Sequence, residues 1–85
     1  MTFNAKFLLV DDLEENLTAL EALLSRDGLH LDEARSGEDA LELMLANEYA
    51  LALLDVQMPG MDGFELAETM RANERSRHIP IIFLT

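Results

Sequence analysis

Four short apolar runs alternate along the chain with three segments of helical periodicity, and this alternation is the feature that most constrains the fold. The apolar runs cover residues 5–10, 29–34, 50–56 and 80–84. Runs of this length are typical of strands, and strands separated by helices pair in parallel. The alternation therefore predicts a single α/β domain with a parallel sheet and right-handed crossovers.

Spacing and capping residues place the three helices between these runs. Residues 13–26 carry leucines at helical spacing, and Gly28 is a candidate stop. The second and third helices are predicted to begin at capping patterns, which are Ser36 with Asp39 and Asp62 with Glu65.

Composition excludes several classes of protein. The 85 residues include no cysteine, so disulfides and thiolate metal sites are absent. The formal net charge of −11 opposes direct binding to nucleic acid, which requires a basic surface. No apolar run approaches the ~20 residues of a membrane span, and the first run is too short for a signal peptide. A cytoplasmic protein is expected.

Polar side chains stand at the carboxyl ends of the predicted strands. Asp11 and Asp12 follow the first strand, Asp55 lies near the end of the third, and Thr85 follows the fourth. The third run is otherwise apolar, as expected of a central strand buried on both faces. Ligands of open parallel sheets bind outside the carboxyl ends of the strands, so these four residues should meet at one edge.

Bringing carboxylates together has an electrostatic cost that predicts a cation. Two carboxylates ~4 Å apart repel by roughly 4 kcal/mol at an effective dielectric near 20. No arginine adjoins the aspartates in the sequence, and Lys6 lies at the opposite end of the first strand. Oxygen ligands without His or Cys favour a hard ion, Mg²⁺ before Ca²⁺ or Mn²⁺.

Each of these residues also has a purely structural interpretation. Asp11 and Asp12 could supply a helix N-cap and a first-turn acid, which favours the helix dipole. A threonine such as Thr85 is ordinary at the end of a strand. The structural interpretation is weakest for Asp55, because burying a carboxylate beside a long apolar run is costly.

Three segments resemble the receiver domain of two-component response regulators. They are residues 8–12 (LLVDD), residues 53–63 (LLDVQMPGMDG) and residues 83–85 (FLT). The middle segment is the most specific, and the resemblance covers the whole chain. It implies a flavodoxin-like parallel sheet with strand order 2-1-3-4.

The resemblance also implies a function, that of a phosphorelay receiver and signalling switch rather than a classical enzyme. Asp55 would accept a phosphoryl group from a sensor histidine kinase, a phosphotransfer protein or a small phosphodonor. Asp12, Asp55 and the backbone carbonyl of Gln57 would contact Mg²⁺ directly, and Asp11 would act mainly through water. Thr85 would contact the phosphoryl oxygens and act as the switch residue. At most, the domain would promote its own phosphorylation and dephosphorylation.

The chain departs from the family pattern after its fourth strand. A complete receiver continues through a fourth helix, a fifth strand that carries a lysine and an aromatic switch residue, and a fifth helix. Residues 1–85 thus correspond to a single receiver domain without those elements, and Thr85 is either the C-terminus or a point within a longer protein. Metal binding is expected to survive this difference better than phosphotransfer.

The same departure predicts association. The fourth strand becomes an apolar edge strand with unpaired backbone groups, and the sheet face covered by the first helix lacks a second helix. A homodimer or larger assembly through this strand is expected. The alternative function is therefore a non-catalytic folding or dimerisation module that retains a metal-binding acidic pocket.

Two other families are disfavoured by single features. Phosphatases of the haloacid dehalogenase type carry a second aspartate two residues after the phosphorylated one, where this chain has Gln57. Flavodoxins need a hydroxyl-rich phosphate loop after the first strand, where this chain is acidic.

Overall fold

Each apolar run forms a strand of one parallel sheet. The computed structural model describes residues 4–84, and its strands are β1 (Ala5–Val10), β2 (Leu29–Ala34), β3 (Leu51–Asp55) and β4 (Ile81–Leu84). All three strand pairings are parallel, and the order across the sheet is β2-β1-β3-β4. The predicted class of fold and the predicted strand order are both confirmed. Thr85 lies outside the described residues.

The three helices are α1 (Glu14–Leu24), α2 (Gly37–Ala46) and α3 (Gly63–Ala72). Both predicted caps form: Ser36 Oγ accepts from the backbone N–H of Asp39, and Asp62 and Glu65 make a reciprocal capping box. No helix within residues 4–84 is long and apolar enough to span a membrane.

The first helix is shorter than the predicted range of residues 13–26. It ends at Leu24 rather than Arg26, with Ser25 as its C-cap. Gly28 does not terminate the helix; it adopts a φ of 83° in the turn that leads into β2, and its carbonyl accepts from the backbone N–H of Ala5. Its left-handed conformation explains the glycine at this point.

The core is divided between the two faces of the sheet. Side chains alternate along β1, so Leu8 and Val10 point to one face and Leu9 to the other. The face covered by α2 and α3 holds most of the buried residues, among them Leu54, Leu66 and Met70. The α1 face holds a smaller cluster of Leu9, Leu17 and Leu53.

β4 forms one edge of the described sheet and exposes apolar side chains. Ile82 and Phe83 are 49% and 39% exposed, although they belong to a strand. Phe83 packs against Phe64 of α3, with ring centroids 4.9 Å apart. Ile82 pairs in register with Leu53 and lies on the face that α1 covers. An apolar surface therefore flanks the free edge of β4.

Candidate functional site

The sheet register brings the three predicted aspartates together. Val10 of β1 pairs with Leu54 of β3. Asp11 and Asp55 are the residues that follow this pair, so they lie beside each other at the carboxyl edge. Carboxylate oxygens of Asp11, Asp12 and Asp55 all lie within 4.8 Å of one another. The predicted convergence at the carboxyl edge is thus present, and it joins two segments that are far apart in the sequence.

Asp11 is the anchored member of this cluster. It is only 3% exposed, and its two carboxylate oxygens accept from the backbone N–H of Leu13 at 3.0 Å and from Asn16 Nδ2 at 3.1 Å. The N-cap interpretation of the aspartate pair is wrong, because the N-cap position of α1 is Leu13 and carries no side-chain cap. The acids in the first turn are Glu14 and Glu15 instead. Asn16 was not singled out by the sequence, although it lies in the first turn of the helix that follows Asp11.

Asp55 lies at the end of β3 with its carboxylate turned towards the other two. One of its oxygens accepts from the backbone N–H of Gln57 at 3.3 Å. Burial raises the pKa of Asp55; the Gln57 N–H lowers it, and the Asp11 and Asp12 carboxylates raise it again, with a net increase above 3.8. The local field therefore disfavours negative charge on Asp55 and favours a cation beside it.

Gly63 presses the start of α3 against the end of β3. Its backbone N–H donates to the carbonyl of Val56 at 3.1 Å. A Cβ atom on Gly63 would overlap the backbone carbonyl oxygen of Asp55. Asp62 was predicted to cap this helix, and the structure adds that the glycine after it allows the helix to pack directly behind the candidate acceptor.

Arg35 reaches the cluster from the neighbouring strand. It directly follows β2, and its Nη2 donates to the backbone carbonyl of Asp12 at 3.1 Å. The expectation that no arginine adjoins the aspartates holds along the sequence but is wrong in space. The rule that located the aspartates, which looks for polar residues directly after a strand, would have found Arg35 as well.

An open cleft gives access to the acidic cluster. It has a volume of about 340 Å³ and is lined by Asp11, Asn16, Ala19, Leu20, Asp55 and Leu84. Carboxylates lie on one side of the cleft, and Leu20 of α1 and Leu84 of β4 supply apolar side chains to its lining. Thr85 would follow Leu84 here, but it lies outside the described residues.

The chemistry of the donor set fits a hard divalent cation. Every side-chain donor in the cluster is a carboxylate oxygen, and Mg²⁺ prefers oxygen ligands while retaining several waters. Asp11 already uses both oxygens for protein donors, whereas Asp12 is half-buried at the rim. These three residues would therefore suit an ion held by few protein ligands.

Comparison with known proteins identifies the class to which this fold and site belong. The sequence model of the response regulator receiver domain matches residues 7–85. The chain is 38% identical over 82 residues to the response regulator PleD of Caulobacter vibrioides, a match that covers 96% of this chain and 18% of PleD. It is 44% identical over 78 residues to the transcriptional regulatory protein AfsQ1 of Streptomyces coelicolor, covering 92% of this chain and 33% of AfsQ1.

Solved structures give the same result. The N-terminal domain of a response regulator receiver protein from Methanoculleus marisnigri superposes with a TM-score of 0.90 at 36% identity, over 95% of this chain and 66% of that one. The chemotaxis protein CheY4 of Vibrio cholerae superposes with a TM-score of 0.87 at 29% identity, over 94% of this chain and 67% of that one. The chain belongs to the response regulator receiver family, whose domains are signalling modules of two-component systems. It spans 18% of the length of PleD and 33% of the length of AfsQ1.

The raised pKa of Asp55 predicts how this residue affects stability as the pH changes. An acid whose pKa is raised by folding destabilises the folded state at a pH above that pKa, and has no such effect below the ordinary value of 3.8. Asp55→Asn should therefore be more stable than the wild type at pH 7 without metal, and this advantage should shrink as the pH falls towards 4. Urea unfolding of both proteins in EDTA across this range measures the difference. An advantage that grows on acidification would contradict the prediction.

Proposed function

We propose that this receiver domain accepts a phosphoryl group on Asp55 and thereby acts as a Mg²⁺-dependent signalling switch. The observation that carries the proposal is the convergence of the Asp11, Asp12 and Asp55 carboxylates within 4.8 Å at the carboxyl edge of a parallel sheet. Membership of the receiver family supports it.

In the proposed reaction, a carboxylate oxygen of Asp55 attacks phosphorus and forms a new P–O bond. The bond from phosphorus to the donor breaks, and its electron pair leaves with the donor's imidazole nitrogen or, for an acyl phosphate, with the carboxylate. The Gln57 N–H holds one Asp55 oxygen in place. Burial raises the pKa of Asp55, and a bound cation would lower this pKa again by offsetting the neighbouring negative charges.

The proposed metal site uses Asp12 and Asp55 directly, together with the backbone carbonyl of Gln57, and Asp11 through water. Support for this division comes from Asp11, whose two oxygens are already engaged by Leu13 and Asn16. When bound, Mg²⁺ would offset negative charge on the carboxylates and on the transferring phosphoryl group. Thr85 is proposed to hydrogen-bond the phosphoryl oxygens.

The proposed partners follow from the family. A sensor histidine kinase or a phosphotransfer protein would donate the phosphoryl group, and the reaction would take place in the cytoplasm. The chain would be a phosphoacceptor and not a classical enzyme, and at most it would promote its own phosphorylation and dephosphorylation.

Intact-mass measurement with a small phosphodonor tests the proposal. The chain is incubated with acetyl phosphate and Mg²⁺, and Asp55→Asn is treated in the same way. One added phosphoryl group is expected on the wild type, and none on Asp55→Asn or in EDTA. An adduct of equal yield on Asp55→Asn would contradict the assignment of the acceptor. No adduct on a folded wild type that still binds Mg²⁺ would favour the alternative function, a non-catalytic module that keeps the acidic pocket.

The exposed edge described above is the observation that favours this alternative function. We propose that residues 1–85 belong to a single receiver domain and that, in the 85-residue chain, a second copy covers β4. Ile82 and Phe83 supply apolar area for such a contact, and the outer edge of β4 offers backbone groups for strand pairing.

Association of the 85-residue chain should strengthen with salt. Each copy carries a formal charge of −11, so two copies repel, and added salt screens the repulsion without weakening apolar burial. Light scattering coupled to size exclusion at low and high salt is expected to show a dimer or larger species that grows with ionic strength. Ile82→Lys should shift the equilibrium towards monomer. A folded wild-type monomer at tens of micromolar in high salt would overturn the proposal.

A further inference from the structure

Positive charge is segregated to one end of the molecule, with a single exception. The chain has six Lys and Arg residues. Five of them lie at the amino edge of the sheet or in the connections that lead into it, namely Lys6, Arg26, Arg71, Arg75 and Arg77. The sixth, Arg35, directly follows β2 and, within residues 4–84, is the one Lys or Arg at the carboxyl edge.

Several of the cations at the amino edge are engaged in structural contacts. Lys6 Nζ donates to Asn47 Oδ1 at 2.7 Å, next to the end of α2. Arg71 Nη1 donates to the backbone carbonyls of Arg77 and Ile79, which fixes the segment before β4. These residues tie loops together at a distance from the acidic cluster.

Arg35 differs from them in both its position and its surroundings. Its guanidinium is held by the carbonyl of Asp12, a member of the acidic cluster, and the side chain remains exposed. A guanidinium offers five N–H donors in a planar fork that matches phosphate oxygens, and one hydrogen bond to a carbonyl leaves most of them available. The arginine therefore lies at the rim of the site, and most of its guanidinium N–H donors are available to a ligand.

From this geometry we propose that Arg35 is the anion-recruiting residue of the site, which attracts the phosphoryl group of the donor towards Asp55. The inference rests on the proposed function, because it assumes that an anionic phosphodonor approaches this edge. Without Arg35, an anion nearing the carboxyl edge would meet the acids at the ends of the strands and in the first turns of all three helices. Exposed charges act over about 8 Å at physiological salt, and the contact with Asp12 places the guanidinium beside the cluster.

A recruiting cation has opposite effects on the two ligands of the site. It attracts the anionic donor but repels Mg²⁺. Removing one unit charge about 6 Å from a ligand changes an affinity or rate by about threefold in water. Arg35→Gln is therefore expected to slow phosphorylation by acetyl phosphate about threefold and to tighten Mg²⁺ binding by a similar factor. Arg35→Glu should approximately double both effects on the logarithmic scale, and Arg35→Lys should retain most of the wild-type behaviour.

The experiment measures three quantities on the full chain: the rate constant with acetyl phosphate at several ionic strengths, the Mg²⁺ affinity by calorimetry, and the binding of inorganic phosphate by ³¹P line width in the presence of Mg²⁺. The dependence of the rate on salt should flatten in Arg35→Gln, because one attractive charge is lost. Arg26→Gln is the matched control, since it removes one exposed charge at the opposite edge and should leave all three quantities near wild type.

The outcomes separate the inference from the proposed function. If Arg35 only ties two loops together through the Asp12 carbonyl, Arg35→Gln should weaken Mg²⁺ binding and stability along with the rate, and the inference is overturned. Rates and phosphate binding equal to wild type would overturn it as well. If the wild type forms no adduct, the proposed function fails. Even then, weaker phosphate binding together with tighter Mg²⁺ binding in Arg35→Gln would support the inference about Arg35, and the absence of either change would contradict it.

Discussion

Gly63→Ala is expected to destabilise the fold by about 3 kcal/mol, which is at the upper end for overpacked sites. The new Cβ atom would overlap the Asp55 carbonyl oxygen and would also crowd the backbone of Val56. Backbone of a central strand cannot rotate aside as a side chain can, so α3 has to move away from β3. That movement also displaces Asp55, and phosphorylation by acetyl phosphate should fall together with the stability. Urea unfolding followed by circular dichroism measures the first effect, and intact mass the second.

Gly37→Ala provides a matched control for this prediction. Gly37 and Gly63 are both buried glycines at the first position of a helix, in α2 and α3. The three atoms nearest to a Cβ atom on Gly37 belong to the side chain of Met61 rather than to backbone, and the nearest of them, Sδ, can move away by a change of rotamer. Its cost should stay near 1 kcal/mol, because the greater helix propensity of alanine offsets part of the crowding. Equal effects of the two substitutions would show that the close approach to Asp55 does not determine the cost.

Mg²⁺ is expected to stabilise the folded chain, and Asp12→Asn should remove most of this effect. A ligand that binds only the folded state adds about 1.4 kcal/mol to the free energy of unfolding for each tenfold rise in its concentration above Kd. The three carboxylates of the site exist as a cluster only in the folded chain, so the wild type should show this slope. In the loop after β1, the carboxylate that accepts anchoring hydrogen bonds is that of Asp11, whereas Asp12 accepts only through its backbone carbonyl, which the substitution keeps. Asp12→Asn should therefore remove a metal ligand without unfolding the loop.

Thermal unfolding against Mg²⁺ concentration checks this prediction, with Asp27→Asn as the control. Asp27 is an exposed aspartate between α1 and β2, at the opposite edge of the sheet, so its substitution makes the same change of net charge. The control should keep the wild-type slope. Equal slopes in the wild type and in Asp12→Asn would show that Mg²⁺ stabilises the chain at some other place.

Most of the fold followed from local sequence features. The bounds predicted for β1 and β2 are those observed, and β3 and β4 differ by a residue at their ends, because apolar runs of strand length leave little choice of position. The caps at Ser36 and Asp62 formed as predicted because they depend on residues three apart. The end of α1 was predicted two residues too late, because the prediction continued past the last leucine, Leu24, to Arg26, whereas Ser25 is the C-cap.

The residues of the site likewise fall into those that local sequence could predict and those that depend on contacts distant in the sequence. The aspartates could be predicted because each stands next to an apolar strand and the carboxyl ends of parallel strands share one edge. The same rule would have placed Arg35 at this edge, but the contact of its guanidinium with Asp12 and the contact of Asn16 with Asp11 depend on the path of the loop, which spacing does not encode. The close approach of Gly63 to Asp55 likewise depends on the packing of α3, and it is visible only in three dimensions.

The order of the strands makes the acidic cluster a junction between two halves of the chain. β1 pairs with β2 within the first half, and β3 with β4 within the second, whereas the pairing of β1 with β3 joins the halves. Asp11 and Asp12 come from the first half and Asp55 from the second, so their mutual repulsion arises only when the halves dock. A bound cation would attract the carboxylates of both halves and so stabilise their docking. Metal should accordingly accelerate the docking of the two halves across β1 and β3 more than it accelerates the formation of either half.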